Sequence, residues 1–180
     1  MPLLLTTLEA YKTYAGIDAA DTSQEEQITK LIESCSQRIE TYCRRDFEKK
    51  DYQDEFPGYR LDVLQLYNYP VVPDSVTVED DNGDPVTDFK LRPETGELRR
   101  KAKWHRCREY TVTYQSGYDS APADLQLACN IFIAYHLQLP EHIGIDNEQI
   151  GPLRNQYSVP GELPAEVLPY VEAYKREPML

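Results

Sequence analysis

The sequence predicts an α+β fold: a mainly helical core of two long packed helices and shorter ones, an inserted antiparallel β-subdomain, and an extended C-terminal arm. Two segments, at about 23–45 and 122–139, repeat apolar residues at three- and four-residue spacing, which is typical of one apolar helix face. Between them, apolar and polar residues alternate at period two, which indicates strands. After Pro140, glycine and proline are frequent and interrupt the apolar pattern, which predicts the arm.

At 180 residues the chain is long enough to bury a substantial core. The helical core is predicted from residues 1–47 and 115–140, the β-subdomain from 48–114, and the arm from 141–180. The two long helices are therefore far apart in the sequence. We expect the two helices to pack against each other through their apolar faces, with the strands inserted between them in the sequence.

Local signals place the ends of the N-terminal helices. Thr6 or Thr7 is predicted to cap a short first helix, and Gly16 to end it, because glycine adopts the left-handed conformation that follows many helices. Thr22 with Glu25 has capping-box form and should open the longest helix. The apolar stripe of that helix consists of Ile28, Leu31, Ile32, Cys35, Ile39, Tyr42 and Cys43. The stripe of the 122–139 helix consists of Leu125, Ala128, Ile131, Phe132, Tyr135 and Leu139.

The β-subdomain is predicted from alternation and turn residues. Tyrosine and valine alternate with threonine over 110–114, which indicates a strand with one buried face. Asn82-Gly83 predicts a hairpin, because this dipeptide suits the tight turn that joins two antiparallel strands. Its return strand would contain Phe89 and Leu91, and a second turn would follow at 93–96.

The arm contains one predicted amphipathic helix, at about 164–175. Residues 141–180 have too few apolar side chains to form a core of their own, so removing them should leave the rest of the chain folded. Two alternatives remain for this segment. It orders on a partner protein, or it packs on its own subunit.

Composition restricts the classes of function. A net charge of −12 argues against a protein that coats a nucleic acid, but is compatible with one that lets DNA slide past. Fourteen tyrosines against four phenylalanines suit subunit interfaces, since tyrosine buries a ring and keeps a hydroxyl. No apolar run approaches the ~20 residues of a membrane span, and the N-terminus lacks a secretion signal. We therefore expect no membrane partner.

No catalytic, cofactor-binding or metal-binding residue is predicted. The acidic run 79–84 does not fit a calcium loop, because placing Gly83 sixth puts Val78 first and Phe89 twelfth. The three histidines show no ligand spacing, and the fingerprints of hydrolases and nucleotide-binding proteins are absent. The four cysteines form no CxxC pair, so we expect buried, reduced thiols.

The segment 99–108 is unusual, because six of its ten residues are lysine or arginine in an acidic chain. It can form a solvated hairpin edge, contact DNA phosphates, or contact an acidic surface of another copy. For the third alternative we expect a head-to-tail contact in which this segment of one copy faces the acidic hairpin of the next. The candidate interface residues are Arg99, Arg100, Lys101 and Trp104 on one side, and Asp80, Asp81 and Asp84 on the other.

The order of several motifs resembles the head–tail connector, adaptor or head-completion, proteins of tailed bacteriophages. The central motif is a strand that ends in Tyr114-Gln115-Ser116-Gly117-Tyr118, followed by an acidic residue, a proline and an amphipathic helix. The resemblance covers most of the chain. The other motifs are Leu8–Lys12, Ile39–Phe47, Leu66–Val71, Ile150–Pro152, Tyr157-Ser158 and Leu163-Pro164.

This resemblance implies a structural virion protein and not an enzyme. Such connectors assemble as a ring, with the portal protein on one side, after DNA packaging. They extend the DNA channel and provide a docking site for the tail or a second neck protein. The resemblance thus implies a homo-oligomer that is dodecameric when assembled and monomeric in isolation. It also implies that the protein does not bind nucleic acid sequence-specifically. It places the protein in the virion neck, and in the host cytoplasm during assembly.

In this family the C-terminal segment commonly engages the portal. The resemblance therefore implies a docking arm for the portal or a neighbouring copy; its candidate residues are Ile150, Gly151, Tyr157, Val167, Tyr170 and Tyr174. Two alternatives of other classes remain open from the sequence. One is a small carboxylate- or metal-dependent hydrolase or nuclease, and the other is a non-viral oligomeric adaptor.

Overall fold

A computed structural model describes residues 3–58, 61–105, 108–138, 147–150, 153–156 and 163–176, the side chains of 147–156 excepted. The chain divides into two compact units. Met1–Arg45 and Ser120–Leu180 form the first, here called the helical unit. Asp46–Asp119 form the second, here called the β unit.

The prediction of a mainly helical core is wrong. The described residues contain four α-helices, but also six antiparallel strands in two three-stranded sheets and a separate two-stranded hairpin. The fold is therefore α+β with substantial sheet. The physical reason is that the strands of the β unit bury a large hydrophobic cluster of their own, containing Phe56, Leu64, Leu66, Val71, Val78, Val86, Leu98, Trp104, Tyr110, Val112 and Tyr114.

Helix α1 spans Leu8–Ala15 and has the predicted ends. The Thr7 hydroxyl accepts a hydrogen bond from the Ala10 amide at 3.2 Å, and Gly16 is left-handed with φ 67°. Helix α2 spans Glu25–Cys43, and the predicted capping box at Thr22 is wrong. The helix begins after Gln24, and the Glu25 carboxylate instead binds the buried Lys12 ammonium at 2.5 Å.

Helix α3 spans Ala123–Gln138 and packs on α2, which confirms the predicted contact of the two long helices. The Ser36 hydroxyl of α2 lies 3.8 Å from the Cys129 sulfur of α3, and both residues are buried. Only part of each predicted stripe is fully buried. Ile32 is 3% exposed, whereas Leu31 and Ile131 are half-buried.

The C-terminal segment is more complex than the predicted extended arm. Strands β7, Asn147–Ile150, and β8, Leu153–Gln156, pair as an antiparallel hairpin. Helix α4, Leu168–Val171, continues into a 3₁₀ turn, Glu172–Tyr174, and packs on α3.

Residues 163–176 are therefore not an extended arm. Of the two alternatives given for the C-terminal segment, the structure shows packing on its own subunit for these residues. Val167 and Val171 are one helical turn apart, and both are fully buried. The Arg176 amide donates to the Cys43 carbonyl at 2.9 Å, and the Tyr42 hydroxyl donates to Glu172 at 2.7 Å. These contacts attach the segment to the end of α2.

The β unit contains two sheets that share one core. Sheet 1 has the order β1, Lys50–Pro57, then β6, Glu109–Ser116, then β3, Thr77–Asp80. Sheet 2 has the order β2, Val63–Gln65, then β5, Glu97–Arg100, then β4, Phe89–Arg92. All pairings are antiparallel, and both sheets contribute side chains to the cluster named above.

The predicted hairpin at Asn82-Gly83 is correct as a turn but wrong in its strand pairing. Gly83 has φ 80°, and the Asp80 amide donates to the Asp84 carbonyl at 3.0 Å. After a short return past β3, however, the chain crosses to sheet 2, where β4 pairs with β5. There Leu91 lies opposite Leu98, so the crossing places both leucines over the shared core. The predicted turn at 93–96 joins β4 to β5.

Gly117 ends β6 at a position that only glycine fits. Its φ is 121°, and a Cβ atom there would lie 2.4 Å from the Glu48 carbonyl oxygen. Backbone cannot move aside as a flexible side chain can, so the Ser-Gly-Tyr motif reflects a close approach of two chain segments.

Candidate functional site

The outer faces of the two sheets carry opposite charge. In each strand alternate side chains point to the shared core, so the intervening ones point away from it. The β6 strand shows this directly, since Tyr110, Val112 and Tyr114 are buried while Thr113 between them is exposed. The register therefore identifies the residues on each outer face.

The outer face of sheet 2 is basic. Lys90 of β4 lies directly opposite Arg99 of β5, and both side chains are exposed. One row further, Arg92 lies opposite Glu97, and these two form an ion pair of 3.1 Å. The exposed Lys101 follows in the next turn. We call Lys90, Arg92, Arg99 and Lys101 the basic face.

The outer face of sheet 1 is acidic. Its outward positions on β1 and β3 include the exposed carboxylates of Asp51, Glu55 and Glu79, which we call the acidic face. Glu55 and Glu79 flank Thr111 from either side, so they are two strand spacings, about 10 Å, apart. Another row of outward positions runs from the one between Asp51 and Glu55 on β1, across β6, to Thr77 on β3. All of its members carry the neutral side chains of glutamine or threonine.

Sequence reasoning identified Arg99 and Lys101 but missed the other members of both faces. In the sequence, Lys90 and Arg92 alternate with the apolar residues Phe89 and Leu91. This alternation could have indicated that the two basic side chains point outward. The pairing of β4 with β5, which brings Lys90 beside Arg99, had no local signal.

Two members of the predicted basic interface are engaged within their own chain. Trp104 is 1% exposed; its ring N–H donates to the Leu98 carbonyl at 3.3 Å, and its ring meets Tyr110 edge to face. Arg100 forms an ion pair with Asp88 at 2.7 Å and lies over the Trp104 ring. The structure thus leaves Arg99 and Lys101 as the exposed members of that set, while Trp104 fills the core.

The predicted acidic partners lie at the end of β3 and in the turn that follows it. The Asp80 carboxylate accepts hydrogen bonds from the amides of Asn82 and Asp84, at 3.0 and 3.1 Å, and forms an ion pair with Arg108. Burial acts to raise the pKa of Asp80, but these amides and the Arg108 guanidinium outweigh it and hold that pKa below its ordinary value. Asp81 lies 4.0 Å from Arg108, and Asp84 is exposed. Asp80 is therefore mainly a structural group.

Replacing Asp80 with asparagine should lower stability at neutral pH and make the loss depend on pH. Because the folded pKa lies below the unfolded value of about 4, the carboxylate stabilises the fold above that value, and this contribution disappears as pH falls through the folded pKa. Urea midpoints of wild type and Asp80→Asn should therefore converge between pH 7 and pH 3. Asp84→Asn is the matched control and should shift the midpoint little. An equal gap at every pH would contradict this role.

The predicted docking residues are distributed over the C-terminal segment. Val167 is fully buried, and Tyr170 and Tyr174 are half-buried. Ile150 is the last residue of β7, whereas Gly151 and Tyr157 lie outside the described residues. Of this set, only Tyr170 and Tyr174 are shown with partly exposed side chains.

Two of the buried cysteines are not activated as nucleophiles. Burial raises the pKa of Cys43 to about 11 and that of Cys129 to about 12, so these thiols stay protonated near neutral pH. Within the residues that the structure describes, no group of three or more His, Cys, Asp or Glu side chains could hold a metal ion. The helices described there include none long and apolar enough to cross a membrane.

Comparison with solved structures identifies the fold. One similar chain belongs to the neck of an empty gene transfer agent particle, computed with C6 symmetry. The TM-score is 0.57 and the sequence identity is 13%. The alignment covers 98% of this chain and 92% of that chain. Another belongs to the virion of a native gene transfer agent particle, with a TM-score of 0.54, 14% identity and the same coverage. At such identities the likeness shows the fold.

A search of curated proteins gives no match. The family model described as head completion protein, however, matches residues 4–141, which is well over half of the chain. The match includes both long helices and all six strands of the β unit. This chain therefore belongs to the head completion protein family and has a structural role in the connection between phage head and tail.

Proposed function

We propose that this protein assembles as a ring on the portal vertex after DNA packaging, extends the DNA channel, and provides the docking site for the tail or a second neck protein. The observation that carries the proposal is the family match over residues 4–141. The similar neck structure was computed with C6 symmetry, and a twelve-membered ring contains a six-fold axis. A six-fold axis fits six copies as well as twelve, and we propose twelve because the resemblance to head–tail connectors implies a dodecamer.

The charge of the chain supports a channel that DNA passes through without sequence-specific binding. The chain carries 31 acidic and 19 basic residues. A ring of such subunits surrounds DNA with net negative charge, which does not retain the phosphates. The protein acts here without catalysis, as a structural virion component that assembles in the host cytoplasm.

Deleting the gene from a particle-producing strain tests this function. We expect DNA-filled heads and free tails to accumulate, because the head lacks the surface on which the tail docks. Electron microscopy should show these separate parts, and mass spectrometry should find the protein in purified wild-type virions. Normal tailed particles after deletion, or virions that lack the protein, would refute the proposal.

A further inference from the structure

We infer that neighbouring copies in the ring meet through the two oppositely charged sheet faces, with the basic face of one copy against the acidic face of the next. This inference rests on the proposed ring and names the contact that would build it. It differs from the pairing predicted from sequence, because the Asp80 carboxylate already binds Arg108 within its own chain.

The basic face contains positive charges that have no ion-pair partner among the described residues of their own subunit. Lys90 and Arg99 are directly opposite each other on adjacent strands, where like charges repel. Arg92, Arg100 and Arg108 each have a carboxylate within ion-pair distance. Within the described part of the chain, Lys90 and Arg99 have none. An external negative group would remove this repulsion.

The acidic face supplies such a group on the same β unit. Its outward positions, from Asp51 and Glu55 on β1 to Glu79 on β3, include no lysine or arginine. Both faces are exposed outer surfaces of sheets packed on one core, so they point in different directions. If the basic face of each copy contacts the acidic face of the next, the charges of every copy gain a partner. Repetition of this contact produces a closed ring when the rotation between neighbouring copies divides a full turn evenly.

A second copy suits the basic face better than DNA does. The face has one internal carboxylate, Glu97, and the same β unit carries a face that would repel phosphates. Exposed charge pairs are screened by salt and contribute more to orientation and association rate than to affinity. We therefore expect these faces to set the register of the ring.

Charge reversal with rescue tests the inference. One variant carries Lys90→Glu and Arg99→Glu, and the other carries Glu55→Lys and Glu79→Lys. Each alone has two faces of like charge, so we expect its incorporation into particles to fall about tenfold or more. A one-to-one mixture of the two should recover, and so should the fourfold variant, which keeps the net charge of −12. Glu33→Lys with Glu166→Lys, on exposed positions of the helical unit, is the matched control and should behave as wild type.

A direct readout uses virions that contain isotopically labelled and unlabelled copies, treated with a carbodiimide that joins lysine amines to carboxylates. We expect mixed-isotope cross-links between Lys90 and the acidic face. Circular dichroism of each purified variant checks that it is folded; for a misfolded variant, the cross-links in wild-type virions decide alone. Because wild-type incorporation is measured separately, loss of the proposed function is distinguishable from failure of this contact.

Four results would overturn the inference. The reversed variants incorporate as wild type does, the mixture fails to recover although both variants are folded, or Lys90 of wild-type virions gives no link between copies. If DNA protection or photo-cross-linking instead shows that Lys90 and Arg99 contact packaged DNA, the basic face binds nucleic acid. The inference is then also wrong.

Discussion

Replacing Val171 with aspartate should strongly destabilise the helical unit. Val171 is fully buried, and its carbonyl lies near the Cys43 thiol, 3.7 Å from the sulfur. A carboxylate there would lose its hydration without gaining a partner, which costs about 4 kcal/mol. Since whole domains are stable by only about 5–15 kcal/mol, such a loss is a large fraction of the total.

Ala173→Asp is the matched control for this prediction, because Ala173 is exposed and only two residues away. Urea unfolding followed by circular dichroism should show a large shift for Val171→Asp and almost none for Ala173→Asp. Equal midpoints would mean that residues 163–176 do not stabilise the helical unit. That result would support the expectation that residues 141–180 can be removed without loss of the fold.

Replacing Ile32 with aspartate should have a similarly large effect, and the same change at Ile131 a clearly smaller one. Both residues belong to the apolar stripes predicted from sequence, but Ile32 is 3% exposed while Ile131 is half-buried. We expect about 4 kcal/mol for Ile32→Asp and about 1–2 kcal/mol for Ile131→Asp, whose carboxylate can reach water.

The two variants control for each other, because each introduces the same group on one of the two packed helices. Denaturant titrations of both, extrapolated to water, give the comparison. Equal losses would show that Ile131 is as buried as Ile32. Two fully stable proteins would contradict the packing of α2 on α3.

Much of the candidate site could not be predicted from the sequence, for a reason that Trp104 illustrates. A tryptophan in a basic segment suggested an exposed interface residue, yet its ring fills the core of the β unit. Residue type and charge describe the segment as a whole. The side of the strand or turn on which each residue lies depends on the sheet to which that strand pairs.

Features that depend on neighbours within a few residues could be predicted from the sequence. Thr7 and Gly16 end α1 through their own hydrogen bonds and dihedral angles, and the alternation over 110–114 predicted the buried side of β6. Such signals are local because they arise from backbone conformation and the periodicity of one element.

The way in which those elements combine depends on packing between distant parts of the chain. Strand β4 pairs with β5 and not within the predicted hairpin, and the C-terminal helix packs on α3 although its segment was predicted to be an extended arm. Both outcomes depend on burial against surfaces that lie far away in the sequence, such as the Leu91 and Leu98 pair or the Val171 contact at Cys43. The free energy of burying an apolar side chain depends on what surrounds it in space, and a sequence pattern does not specify those surroundings.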